Sequence, residues 1–181
     1  TAFSWQRLVS GAVVHYIACS MPIFLTGTLA VQYRDELVID EAGLGGLIAV
    51  FAVGGMIVSP AMGRLAERLG AGTSLRLASG LSGMVMLAVA SFANSWEMMA
   101  SLLLVGGIAG SFMQSSTNLW LAKGIDESRM GLAFGLKQAG GPTAAMLAGF
   151  AVPTLAMALG WRWTFACFGM FAFLAACSVP Q

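Results

Sequence analysis

Charge is scarce in this chain of 181 residues. Asp, Glu, Lys and Arg make up 9% of it, where an average soluble domain carries roughly 25%. Nine basic and eight acidic residues are too few to wet the surface of a globule of this length. The net charge of +1 leaves no basic stripe, which excludes a nucleic-acid binder. Histidine occurs once, at His15. No H-E-x-x-H pattern or aspartate pair lies in an apolar run, which speaks against an intramembrane hydrolase, since that needs a nucleophile and a base within reach. No Gly-x-x-x-x-Gly-Lys-[Ser/Thr] loop is present, so the chain supplies no ATP-driven motor. Cysteine is confined to Cys19, Cys167 and Cys177, all inside apolar runs and without metal-ligand spacing. They are expected to be buried, reduced thiols, and neither a metal nor a cofactor is expected. No basic n-region with an A-x-A site marks a cleavable signal. The chain opens on Thr1 and closes on Gln181 beside hydrophobic segments, and both edges read as cuts in a longer sequence.

What is abundant is apolar. Hydrophobic residues are 58% of the chain and mean hydropathy is +0.83. Such a chain is solvated by lipid. A spanning helix needs ~20 mostly apolar residues to cross ~30 Å of hydrocarbon. The charges leave six such runs, at 8–31, 43–62, 75–93, 98–122, 130–159 and 163–179. No period-two alternation runs through them, so a membrane barrel is excluded and the expected fold is an all-α bundle of six spans. Arg7, Arg64, Arg68, Arg76, Lys123 and Arg129 fall on one side, and only Arg34 and Arg162 on the other. The positive-inside rule therefore places both ends of the chain in the cytoplasm of a cell (inner or plasma) membrane protein. Trp5, Trp96, Trp120, Trp161 and Trp163 sit at or near the expected interfaces, where indole rings prefer to be. Gly106-x-x-x-Gly110 and Gly131-x-x-x-Gly135 offer close helix approaches. Pro22, Pro60, Pro142 and Pro153 invite kinks.

After the second run the chain reads Gly63-Arg64-Leu65-Ala66-Glu67-Arg68-Leu69-Gly70. This resembles the loop signature of the major facilitator superfamily, Gly-x-Leu-Ala-Asp-Arg-x-Gly, in the cytoplasmic loop where that family carries it. Glu67 stands in for the Asp. Ala71 and Gly72 replace the basic pair that follows the second Gly, with Arg76 one turn later. Gly135-Leu-Lys-Gln-Ala-Gly140-Gly141-Pro142 and Gly160-Trp161-Arg162-Trp163 are similar to the family's fifth span and to the start of its sixth. The resemblance implies a six-helix half built from two inverted three-helix repeats. It also implies that a C-terminal six-helix half of the same transporter is the partner. Gly63, Glu67, Arg68, Gly70 and Arg76 would form the gating motif, with Glu67 latching the cytoplasmic gate. The stretch Ser101–Val105 lacks the Arg that the family ties to proton coupling, so proton antiport by that route is not expected.

An ionisable group at the centre of a span costs ~2.5–3.5 kcal/mol on insertion scales, so each needs a reason. His15 and Lys137 each lie eight residues past an interfacial Arg, roughly 12 Å deep. Gln114 reaches a similar depth on the antiparallel fourth span. Ser111, Gln114, Ser115 and Asn118 follow i, i+3, i+4, i+7, one helix face. In the family, spans one, four and five line the central cavity. Lys137, His15, Gln114, Asn118 and Gln138 are therefore the expected substrate-binding residues. With no acid of this chain at membrane depth, Lys137 points to a small anionic solute, an organic carboxylate first, carried across the bilayer by alternating access. The alternative is a stand-alone six-span protein acting as a homodimeric transporter or scaffold.

Overall fold

The computed structural model describes residues 5–178, and every long element among them is helical. Helix α1 (Trp5–Thr28) carries Pro22 and is followed by the short α2 (Ala30–Tyr33). Asp40 opens α3 (Glu41–Leu69) by accepting the Gly43 N–H at 2.7 Å. The connection to α4 (Ala71–Phe92) is Gly70 alone. Ser95 caps α5 (Trp96–Gly124) through the Met98 N–H at 3.2 Å. These caps each satisfy one of the orphan amides that every helix start exposes. The next stretch is broken into α6 (Glu127–Gln138), α7 (Gly140–Ala151), a π-helical turn at Val152–Ala156 around Pro153, and α8 (Met157–Leu159). Gly160 then leads into α9 (Trp161–Ser178).

Among the described residues, five stretches are long and apolar enough to cross a membrane: α1, α3, α4, α5 and the broken Glu127–Leu159 rod. Helix α9 is described over 18 residues with Arg162 in its first turn and stands outside that set. The helices overrun the apolar runs. In particular the segment Gly63–Leu69, expected as a loop, is the last two turns of α3. Its Arg, Leu, Ala and Glu are all strong helix formers, so the helix continues where hydropathy stops.

The bundle is assembled around α5, which packs against α3, α4 and α1, while α4 also carries α9. The α3–α5 crossing is backbone against backbone. A Cβ on Gly107 would collide with the Phe51 carbonyl oxygen, and one on Gly54 with that of Leu104. Helices in lipid associate through such small-residue contacts because no hydrophobic drive pushes them together. The α4–α9 crossing repeats the device at Gly83 and Gly169.

At the end of the bundle where α4 stops and α9 starts, Arg162 ties three segments together. Its guanidinium donates to the Ala90 and Ala93 carbonyls at 3.1 and 2.8 Å and to Glu36 Oε1 at 2.8 Å. Trp161 Nε1 donates to the other Glu36 oxygen at 2.7 Å. The orphan carbonyls of α4 are thus capped by a side chain from α9. Beside it, Ile39 N–H donates to the Arg34 carbonyl at 2.8 Å around Val38, whose φ is 53°. This is the six-to-one bond of a Schellman turn, closing the turn that follows α2, with Val where Gly is usual. Among the cysteines only Cys19 is buried. Cys167 and Cys177 are uncovered by protein, because they lie on α9 faces turned away from α4. The expectation of three buried thiols is corrected accordingly.

Candidate solute site

Lys137 is the most deeply buried charged side chain described, at 1% exposure. It leaves α6 two residues before the break at Ala139. Its ammonium donates to Asn118 Oδ1 on α5 at 2.7 Å. The Tyr16 ring of α1 lies 5.2 Å from Nζ and the Phe134 ring 5.9 Å. A cation over aromatic faces gains ~0.5–2 kcal/mol, more as water is removed. Among the described residues Asn118 is its one hydrogen-bond acceptor, although an ammonium offers three donors. Gly140 makes this packing possible. A Cβ there would sit 3.0 Å from Tyr16 Cδ1, so the chain just past the break can press against the ring.

The expected residues do not all gather here. Lys137 and Asn118 are in contact. His15 is turned to α4, with Nδ1 2.7 Å from Ser79 Oγ, and is 2% exposed. Ser79 also lies 3.7 Å from Cys19 Sγ, and Ser82 donates to the Ala18 carbonyl at 3.1 Å. His15 therefore belongs to a polar seam between α1 and α4. The reason is helical phase: consecutive residues point about 100° apart, and Tyr16 is the one directed at Lys137. Gln114 lines a groove of about 300 Å³ between α3 and α5, together with Ser59 and Ser111. Gln138 is exposed, one position along from Lys137. Ser116 and Thr117 are buried but return their hydroxyls to the Phe112 and Met113 carbonyls at 2.6 and 2.9 Å. They are locally satisfied and offer nothing to a solute.

Tyr16 and Ser79 were missed from sequence. Tyr16 carried a usable signal, being one of two tyrosines in the chain and nine residues past Arg7, at the depth of Lys137. Ser79 carried none.

In the segment expected to gate, Glu67 and Arg68 are exposed at the end of α3, and Gly63 is half-buried within it. Gly70 ends the helix with φ 80° and ψ 154°, a backbone region that only Gly enters readily. Arg76 lies one turn into α4 beside an open cavity. Among the described residues no group of His, Cys, Asp and Glu is placed to hold a metal ion.

The sequence profile of the Major Facilitator Superfamily matches residues 8–179. Among curated proteins none matches the chain.

Proposed function

Starting from the fact that this chain belongs to the Major Facilitator Superfamily of membrane transporters, we propose that it carries a small organic anion by alternating access. The observation behind this reading is Lys137. A buried ammonium whose described partners are one amide oxygen and two aromatic rings has spare donors and no counter-charge. A carboxylate entering between α1, α5 and α6 supplies that counter-charge, with Asn118 as the acceptor it displaces or shares. Gln114, in the groove between α3 and α5, and Gln138, exposed beside Lys137, offer further amide donors, and His15 steadies α1 against α4 from behind. The break at Ala139 lets α6 move relative to α7 and uncover the ammonium. Glu67 latches the cytoplasmic gate against the C-terminal half.

The proposed architecture is a six-span half with two inverted three-helix repeats, α9 being the sixth span. Two joints ninety residues apart support it. Gly70 and Gly160 have φ of 80° and 88° and each forms a one-residue link between helices. In both, the residue four positions on donates twice to the glycine carbonyl. Ser74 does so from N at 3.1 Å and Oγ at 2.8 Å, and Thr164 from N at 3.2 Å and Oγ1 at 3.0 Å. The same offset carries α1 onto α5 and α4 onto α9.

The test is uptake of radiolabelled carboxylates by the complete transporter with Lys137→Met. Transport of anions should fall at least tenfold while expression holds. Unchanged anion transport, or a cationic substrate, would refute the reading. For orientation, Cys at position 38 should label from outside and Cys at position 71 from inside, following the six-to-two division of basic residues. The opposite labelling would reverse the assignment.

A further inference from the structure

A cavity of about 660 Å³ opens where α1 and α4 begin and α5 ends. It is remote from Lys137 in the contacts it makes and shares no residue with that site. At ~30 Å³ per water its volume is about twenty waters, room for a headgroup rather than a single ion. Two cationic side chains line it from different helices, Arg76 of α4 and Lys123 of α5. None of the described lining residues is acidic. The acids nearest in sequence, Glu67 two residues before Leu69 and Asp126 two residues after Gly124, are exposed and are not part of the wall.

The floor adds donors of its own. Residues 70–73 line the cavity and include the first turn of α4, whose amides have no acceptor within the helix. Gly70 holds the cap position without a side-chain cap. Ser74 cannot substitute, because its hydroxyl is returned to the Gly70 carbonyl at 2.8 Å. A Cβ at Gly70 would meet nothing within 4 Å, so the backbone there lies open. The opposite wall is apolar. Leu8 and Trp120 form it, joined by Trp120 Nε1 donating to the Leu8 carbonyl at 3.3 Å. A basic side, amide donors and an indole wall together suit an anion that has an apolar neighbour of its own.

We infer that this cavity binds a phosphate-bearing anion, either the headgroup of an anionic lipid or a soluble phosphate, with Arg76 and Lys123 as its cation pair. A phosphate oxygen between them takes charge-assisted hydrogen bonds and faces the positive end of α4. The site is independent of the transported solute, so it stands or falls apart from Lys137.

Native mass spectrometry of the purified protein tests it. The protein is titrated with short-chain phosphatidylglycerol, short-chain phosphatidylcholine and inorganic phosphate. One phosphatidylglycerol or one phosphate should bind in preference to phosphatidylcholine. Arg76→Gln with Lys123→Gln should weaken that binding roughly thirtyfold, given the usual contribution of a basic residue at an anionic surface. Arg64→Gln, which matches the charge loss of Lys123→Gln at an exposed position on α3, should leave it unchanged. Should the double variant not fold, Lys123→Gln alone, at an exposed residue, should weaken binding roughly fivefold. Displacement of the lipid by millimolar phosphate identifies a soluble phosphate as the ligand, and persistence of the lipid identifies the headgroup. Equal binding of both lipids, no adduct at all, or indifference to both substitutions overturns the proposal.

Discussion

Val38 stands almost clear of the protein, at 91% exposure, between Leu37 and Ile39, which are both buried. Its φ of 53° turns the chain so that its two neighbours can face inward. A β-branched residue is a poor occupant of that region, and left-handed backbone costs an L-residue about 1–2 kcal/mol. Val38→Gly should therefore raise the stability of the detergent-solubilised protein by about 1 kcal/mol, seen as a higher Tm. A fall would mean that the turn is held by something other than the Ile39–Arg34 bond. The same local geometry explains what could be read of the site in advance. The cost of a charge in lipid singles out Lys137 from sequence alone, and helical spacing puts Asn118 on the polar face of α5. The direction of His15 was not legible. Depth along a helix follows from counting residues, but azimuth depends on which neighbour the helix meets, and that is fixed by tertiary packing. His15 and Tyr16 stand one residue and about 100° apart on α1.

At the scale of elements, the α3–α5 pair is held by contact of main chain with main chain. Gly107 lies against the Phe51 carbonyl and Gly54 against that of Leu104. There is no flexible side chain at these points to move aside. Gly107→Val should separate the two helices and cost about 3 kcal/mol or more, the upper range for forcing added carbon into a close-packed contact. The expected readout is loss of the monodisperse peak on size exclusion, whereas Gly45→Val, where a Cβ meets nothing within 4 Å, should be tolerated. Normal behaviour of the Gly107 variant would show that the crossing is looser than drawn. Helical class was legible because ~20-residue apolar runs without period-two alternation admit little else. Helix ends were not. Hydropathy stops at Met62, but the helix-forming residues Arg64–Leu69 carry α3 on to Gly70, where the backbone conformation ends it. The division of the Glu127–Leu159 rod was only partly legible. Pro153 marks the π turn, and Pro142, which has no N–H for the Gln138 carbonyl four residues earlier, accounts for the break at Ala139, whereas the Gly140–Tyr16 contact beside it was not legible.

For the whole molecule, the Arg162 clamp joins the 34–40 connection, the end of α4 and the start of α9. The hydrogen bonds of Arg162 and Trp161 hold the Glu36 carboxyl below its ordinary value of 4.5. A carboxyl whose folded value is lowered contributes stability that is present above its ordinary value and is lost as pH falls through the folded one. Thermal unfolding should thus show a stability decrease below about pH 4.5 that is smaller in Glu36→Gln. Arg162→Gln should cost about 2 kcal/mol at neutral pH, since it also strips the cap from the Ala90 and Ala93 carbonyls. Equal melting of Arg162→Gln and the parent would show that water caps α4 just as well. The single-residue joints at Gly70 and Gly160 bear on how the folded helices can move. One residue spans at most ~3.6 Å, so the two helices it joins cannot have their near ends at different levels of the bilayer. Neither arm of such a joint can slide along its axis without drawing the near end of the other with it. In any rearrangement of the folded bundle, α3 with α4, and the Glu127–Leu159 rod with α9, travel as pairs at those ends.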